Sequence, residues 1–265
     1  MCIRLHVAAL LALAASVQGA PSPAAAAAAA PRTLTIAAAA NLEPVLQELI
    51  RGFEAARPEA TIRTTLGPSG RFFAQIQQGA PFDLFLAADA SFPARLVEAG
   101  LSSGPAFPYA LGRLAIWIPA DSRLDLEKAG VRALLDPSIR KVALGNPAVA
   151  PYGVAAEDAM RAAGVLEAVK GKWVLGESSG QAAQFALSGA AQAAFLPHSL
   201  VLAPPLSTRG RHLLLPASSH RPIEQAGVIV KGTRDPEFAR EFVAWLLGPN
   251  GRAIFARHGY EAPPG

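Results

Sequence analysis

The stretch TLTIAAAANLEPVLQELIRGFEAA, Thr33–Ala56, sets the fold class. Its first part, Thr33–Ala39, is short and apolar and reads as a strand. Its second part carries apolar side chains at Leu42, Val45, Leu46, Leu49, Ile50 and Phe53. Those steps of three and four line one face of a helix. The strand-then-helix pattern recurs down the chain. Strands are expected at Ala60–Leu66 and Phe82–Ala87, followed by helices at Gly70–Gln78 and Phe92–Ala99. Phe82–Ala87 is the unbroken apolar run of a buried parallel strand. After a short helix at Arg132–Leu135 come strands at Lys141–Gly145, Lys172–Leu175 and Gln192–Leu196. Helices are expected at Tyr152–Ala163 and Gln181–Leu187, and at the end Pro236–Leu247 and Gly251–Arg257. Alternating strands and helices predict an α/β fold with largely parallel sheets.

Two longer extended runs, Leu111–Pro119 and Gln225–Lys231, are expected to cross between two lobes. Lobe I then holds residues 32–113 and 226–265, and lobe II residues 114–225. Two such lobes enclose a cleft, the usual place for a small ligand.

Residues Met1–His6 include Arg4, Val7–Val17 is an apolar run, and the small residues Gly19 and Ala20 follow. That order predicts a secretory signal peptide over residues 1–20 and a periplasmic protein. The apolar run is too short to span a bilayer as a helix. An Ala/Pro-rich leader follows over residues 21–31, leaving about 235 residues, enough for one large domain or two lobes. The single cysteine, Cys2, precedes the apolar run. A mature chain without cysteine has neither disulfides nor thiolate metal sites. The net charge of +4 comes from scattered residues without a basic stripe, so no nucleic-acid partner is expected.

Four predicted strand ends share a chemistry: Ala38-Ala39-Ala40-Asn41-Leu42, Gly67-Pro68-Ser69-Gly70-Arg71, Asn146-Pro147 through Pro151-Tyr152-Gly153, and Gly176-Glu177-Ser178-Ser179-Gly180. Each offers small side chains, hydroxyls or amides where a helix begins. Free N–H groups and the helix dipole favour an anion there. Singly, each is also an ordinary helix cap or turn.

These segments, in this order, resemble the periplasmic molybdate-binding proteins of ABC importers. The Ala-Ala-Ala segment at Ala38–Ala40 matches that family's start. Gly67-Pro68-Ser69-Gly70 matches its Gly-Ser-Ser-Gly turn, and Gln75-Ile76-Gln77-Gln78-Gly79-Ala80-Pro81-Phe82-Asp83 its Gln-Ile-x-x-Gly-Ala-Pro-x-Asp stretch. Further matches are Pro151-Tyr152-Gly153, Gly176-Glu177-Ser178, and Gly251 to Phe255 with Gly259-Tyr260. The resemblance implies a type II periplasmic-binding-protein fold, an oxyanion ligand (molybdate or tungstate), a membrane permease as partner, a monomer and no cofactor. It places the oxyanion on Ala40, Asn41, Ser69, Tyr152 and Ser179. Beside the resemblance, Gly70, Arg71 and Ser178 are further candidate contacts, with Arg71 expected chiefly on the helix surface. The metal would be held only as its oxyanion, through Asn41, Ser69, Tyr152 and Ser179, without direct metal-ion ligands. Ala40 stands where relatives carry Thr or Ser, and Leu196 where some carry Tyr.

The alternative ligand is sulfate, thiosulfate or phosphate. An enzyme is not expected. The chain lacks Gly-x-Ser-x-Gly, the phosphate-binding Gly-x-x-x-x-Gly-Lys and His-Glu-x-x-His. Adjacent Glu157 and Asp158 face different ways on a helix. Asp83 and Asp89 read as turn or cap residues, and His198, His212, His220 and His258 show no metal-ligand spacing.

Overall fold

The computed structural model describes residues 31–263. The expected signal peptide, and the leader up to residue 30, lie outside the described residues. The chain opens with β1 (Arg32–Ala39), a 3₁₀ turn (Ala40–Leu42), α1 (Glu43–Ala56), β2 (Ala60–Gly67), α2 (Ser69–Gln77), β3 (Leu84–Ala87), α3 (Ser91–Glu98) and β4 (Phe107–Gly112). The middle holds β5 (Leu114–Pro119), α4 (Leu126–Ala129), β6 (Val142–Gly145), α5 (Pro151–Ala162), α6 (Leu166–Lys170), β7 (Trp173–Gly176), α7 (Ser179–Leu187), β8 (Ala193–Pro197), α8 (His198–Leu202), α9 (Leu206–Arg209) and β9 (Gly210–Leu214). It closes with β10 (Ile223–Ile229), α10 (Pro236–Leu247) and α11 (Pro249–Arg257).

Local chemistry explains the element ends. In α1, Glu43 and Pro44 occupy the first turn, where a carboxylate favours the dipole and proline sacrifices no hydrogen bond. The helix stops at Arg57, which precedes Pro58 and takes a non-helical conformation. In α10, Asp235 caps the start by accepting from the Phe238 N–H at 3.0 Å.

The strands form two five-stranded sheets, ordered β2-β1-β3-β10-β4 and β7-β6-β8-β5-β9. Each mixes parallel and antiparallel pairing. In the first, β1 runs parallel to β2 and β3, and β10 runs antiparallel to β3 and β4. In the second, β6 runs parallel to β7 and β8, and β5 runs antiparallel to β8 and β9. The antiparallel pairs arise where the chain passes from one sheet to the other and back.

Both passages differ in detail from expectation. The run 111–119 is not one strand: β4 ends in the first sheet at Gly112, and β5 starts in the second at Leu114. Both pieces are apolar because both sheets are buried on two faces, and the break falls at Gly112-Arg113, the glycine and the charge within the run. On the return, Ile223, Glu224 and Gln225 already pair with β4. The first sheet therefore regains the chain before residue 226. Strand β9 was not expected; its sequence, Gly-Arg-His-Leu-Leu, suits the edge position beside β5.

Each sheet is covered on both faces. Against the first sheet, α1, α10 and α11 supply Leu46, Leu49, Phe53, Phe238, Phe242 and Phe255 on one side, and α2 and α3 supply Phe72, Phe73, Ile76 and Leu96 on the other. Against the second, α5 packs on one face and α7 and α8 on the other. Phe53 anchors the first core: its ring meets those of Phe242 at 5.0 Å, Phe238 at 5.6 Å and Trp245 at 5.8 Å. Phe53→Ala should cost about 3–5 kcal/mol of stability, measured by denaturant unfolding.

Candidate ligand-binding site

The carboxyl ends of β1, β2, β3, β6 and β7 face one another across the cleft. The helices that follow begin there. Around the cleft lie Ala39–Asn41, Gly67–Ser69 and Ala88 from the first half, and Ala150–Tyr152 and Ser178–Ser179 from the second. They enclose a small space with no charged side chain in its lining. A larger open depression of about 810 Å³ lies at the other end of the first sheet. There Arg32 is already paired with Asp235 at 2.8 Å and Glu241 at 2.9 Å.

The donors of the small cavity come from helix starts. Among the described residues, the backbone N–H groups of Ser69, Tyr152 and Ser179 meet no protein acceptor. All three residues are buried. Asn41 lies in the 3₁₀ turn that follows β1, where leading N–H groups have no intrahelical acceptor. The Ser69 hydroxyl oxygen accepts from the Ala88 N–H at 3.0 Å. That bond fixes the rotamer and leaves the hydroxyl proton for the cavity.

Tight backbone approach makes this possible. A Cβ on Gly153 would fall 2.0 Å from the Gly145 carbonyl oxygen. Only glycine lets the start of α5 sit on the end of β6. The preceding loop is shaped by Asn146, whose N–H donates to Gly176 O at 2.7 Å and whose side chain accepts from Ala148 N–H at 3.0 Å.

The expected residues thus divide. Ala40, Asn41, Ser69, Tyr152, Ser178 and Ser179 are brought together. Gly70 and Arg71 do not line the cavity. The Gly70 N–H donates to the Val149 carbonyl across the cleft at 3.3 Å. Arg71 faces Glu177 of the other half at 3.6 Å, with both side chains largely exposed. These contacts show a closed cleft. Ser178 caps α7, accepting from the Gln181 N–H at 3.3 Å.

The Asn41 side chain differs from expectation: its Nδ2 donates to Gln225 Oε1 and to the Tyr260 hydroxyl, both at 2.9 Å. Both amide hydrogens are engaged behind the cavity, so only the Asn41 backbone N–H is left for a ligand. Leu196 is fully buried in the core of the second half and does not line the cavity.

Three phenols, Tyr109, Tyr152 and Tyr260, lie behind the cavity. Burial pushes each above its ordinary range, so all three stay neutral. The sequence reading missed Ala88 and this polar layer. Ala88 follows β3, so the strand-end rule applied to that strand would have found it. Gln225 was visible as a lone amide inside an apolar extended run. Asp83 ties the far edge, accepting from Thr35 N–H at 2.7 Å and the Thr233 hydroxyl at 2.7 Å. Asp89 caps the start of α3 through the Phe92 N–H at 3.1 Å. Glu157 and Asp158 are both paired with Arg161. Among the described residues no group of three or more His, Cys, Asp or Glu is placed to hold a metal ion.

Two α/β halves closing on a small donor-lined cavity define a solute-binding protein. The family model for bacterial extracellular solute-binding proteins matches residues 34–261, and the chain belongs to that family. Within it, the chain is similar to the molybdate-binding protein of Rhodobacter capsulatus, 37% identical over 76% of this chain and 77% of that one. It is also similar to the molybdate-binding protein of Azotobacter vinelandii, 35% identical over 85% and 88% of the two chains. The solved structure of the Azotobacter vinelandii periplasmic molybdate-binding protein superimposes with a TM-score of 0.80, covering 87% of this chain and all of that one at 31% identity. The sulfate-binding protein of Mycobacterium tuberculosis shares the fold, with a TM-score of 0.71 at 17% identity.

Gly153→Ala should displace the start of α5. The expected result is a loss of about 1–3 kcal/mol in unfolding free energy, measured by denaturant titration.

Proposed function

We propose that this protein captures molybdate or tungstate in the cleft and delivers it to the permease of an ABC importer. On this reading it is exported through its N-terminal signal peptide and acts in the periplasm as a monomer without nucleic-acid partners or catalytic activity. The observation that carries the reading is the small uncharged cavity ringed by helix starts. Similarity to molybdate-binding relatives from two bacteria supports it.

The physics favours a small, fully deprotonated anion. Its oxygens accept from the N–H groups of Asn41, Ser69, Tyr152 and Ser179 and from the Ser69 hydroxyl. Charge-assisted hydrogen bonds contribute about 1.5–3 kcal/mol each. Five of them supply roughly 8–15 kcal/mol before desolvation and closure. Micromolar to nanomolar binding requires about 8–12 kcal/mol. No countercharge is needed. A protonated phosphate brings a hydroxyl that needs an acceptor, which a set of donors does not supply.

Three measurements test this. Molybdate or tungstate at a hundredfold excess over Kd should stabilise the protein by about 2.7 kcal/mol, read as a raised Tm. Equal stabilisation by sulfate at the same concentration would reject the selectivity. Ser69→Ala should weaken molybdate binding about 5- to 150-fold by calorimetry, and an unchanged Kd would remove Ser69 from the site. Arg71→Ala should change Kd by less than about 5-fold, because the exposed pair with Glu177 contributes little.

A further inference from the structure

Behind the cavity lies a buried polar layer that joins the two halves. Its centre is Gln225 on β10, which has no exposed surface. Gln225 Oε1 accepts from Asn41 Nδ2 at 2.9 Å and lies 2.9 Å from the Tyr109 hydroxyl, both in the first half. Gln225 Nε2 donates to the Tyr152 hydroxyl of the second half at 3.0 Å. Asn41 and Tyr152 are the same residues whose backbones border the cavity from opposite sides. A second link runs beside the first: the Ser199 hydroxyl, from α8 in the second half, donates to the Asn41 carbonyl at 2.9 Å.

The backbone is shaped around this link. The β10–β4 ladder shifts register between Gln225 and Ala226. Gly112, where the chain leaves the first sheet, has no Cβ. One there would fall 2.2 Å from the Tyr152 hydroxyl and 2.7 Å from Gln225 Nε2. The passage between the halves is therefore cut to admit the Gln225–Tyr152 bond.

We infer that Gln225 is a positioning residue: it latches the closed cleft by holding Asn41 and Tyr152, and so sets how long the anion stays bound. It touches the cavity only through these two residues. The inference rests on the oxyanion reading above. Opening the cleft moves Tyr152 away from the first half and gives the separated groups to water. Closing it restores bonds in a dry layer, where an unpaired amide or phenol is costly. Association is governed by encounter with the open cleft, so the latch acts on release.

The test uses the full mature chain and molybdate as the probe. Dissociation and association rates are measured by stopped-flow fluorescence for the wild type, Gln225→Met, Tyr152→Phe and the double variant. Tyr152→Phe removes only the hydroxyl and keeps the backbone N–H, so it serves even where Gln225→Met folds poorly. Each single variant should release molybdate about 10- to 100-fold faster, with association changed less than about 3-fold. The double variant should be no faster than the worse single, because both remove one link. Wild-type release rates in both single variants, or losses that add in the double, would overturn the latch while leaving the ligand reading intact. Failure of the wild type to bind molybdate would overturn the ligand reading and this inference with it.

Discussion

A buried backbone N–H without an acceptor is the constraint around which this structure is organised. Each such group costs about 1–3 kcal/mol when water is excluded. Helices hide the problem along their length but leave it at their starts. Here the starts of α2, α5 and α7 and the turn after β1 are gathered in one place. The parallel strand-to-helix units bring them there, since each helix begins where its strand ends. Ser69, Tyr152 and Ser179 are among the buried residues of the chain. On the proposed reading, an anion rich in acceptors satisfies these donors when the cleft closes. The donors thus serve as both the cost of closure and the reason for it.

The polar side chains nearest the cavity are mostly turned to a different task. Asn41 gives both amide hydrogens to Gln225 and Tyr260. Tyr152 presents its hydroxyl to Gln225, and Ser178 caps its own helix. Ser69 is the exception, oriented by the Ala88 N–H and left with a proton to give. The layer behind the cavity is neutral, because burial keeps its three phenols protonated. It therefore fixes the positions of backbone donors without adding charge of either sign. A half-satisfied layer of this kind would destabilise the closed form more than an apolar one, which explains why Gly112 and the register shift in β10 make room for it.

Much of this was legible in the sequence, for a specific reason. Strand and helix periods were strong wherever one face was buried, as in α1, where Val45, Leu46, Leu49, Ile50 and Phe53 all enter the core. The cavity followed from one rule, that ligands gather at strand ends, applied to Asn41, Ser69, Tyr152 and Ser179. Two readings fell short. The break at Arg113 is marked by a glycine and a charge, yet the run reads through it because the flanking residues of both buried sheets are apolar. The role of the Asn41 side chain depends on Gln225 and Tyr260, partners 184 and 219 residues away. No local pattern encodes such a contact. Arg71 was expected chiefly on the helix surface, and the first turn of α2 does carry it outward, to Glu177. Neighbours in a helical sequence point in different directions.

Recognition through backbone donors has a consequence for selectivity. An arginine clamp attracts anions of many shapes, since its charge acts at a distance and its stem is flexible. Fixed N–H groups act only along their own directions and do not move to suit a guest. An ion is then accepted according to the spacing of its oxygens and the absence of protons on them. At Ala40, which offers no hydroxyl, the turn still places Asn41 at the cavity edge. On the proposed reading, discrimination rests largely on the packing that holds four chain segments in register. On this view the residues that decide which ion fits are the ones that position backbone, Gly153 and Asn146 on one side and Asn41 on the other, rather than those with the most reactive side chains.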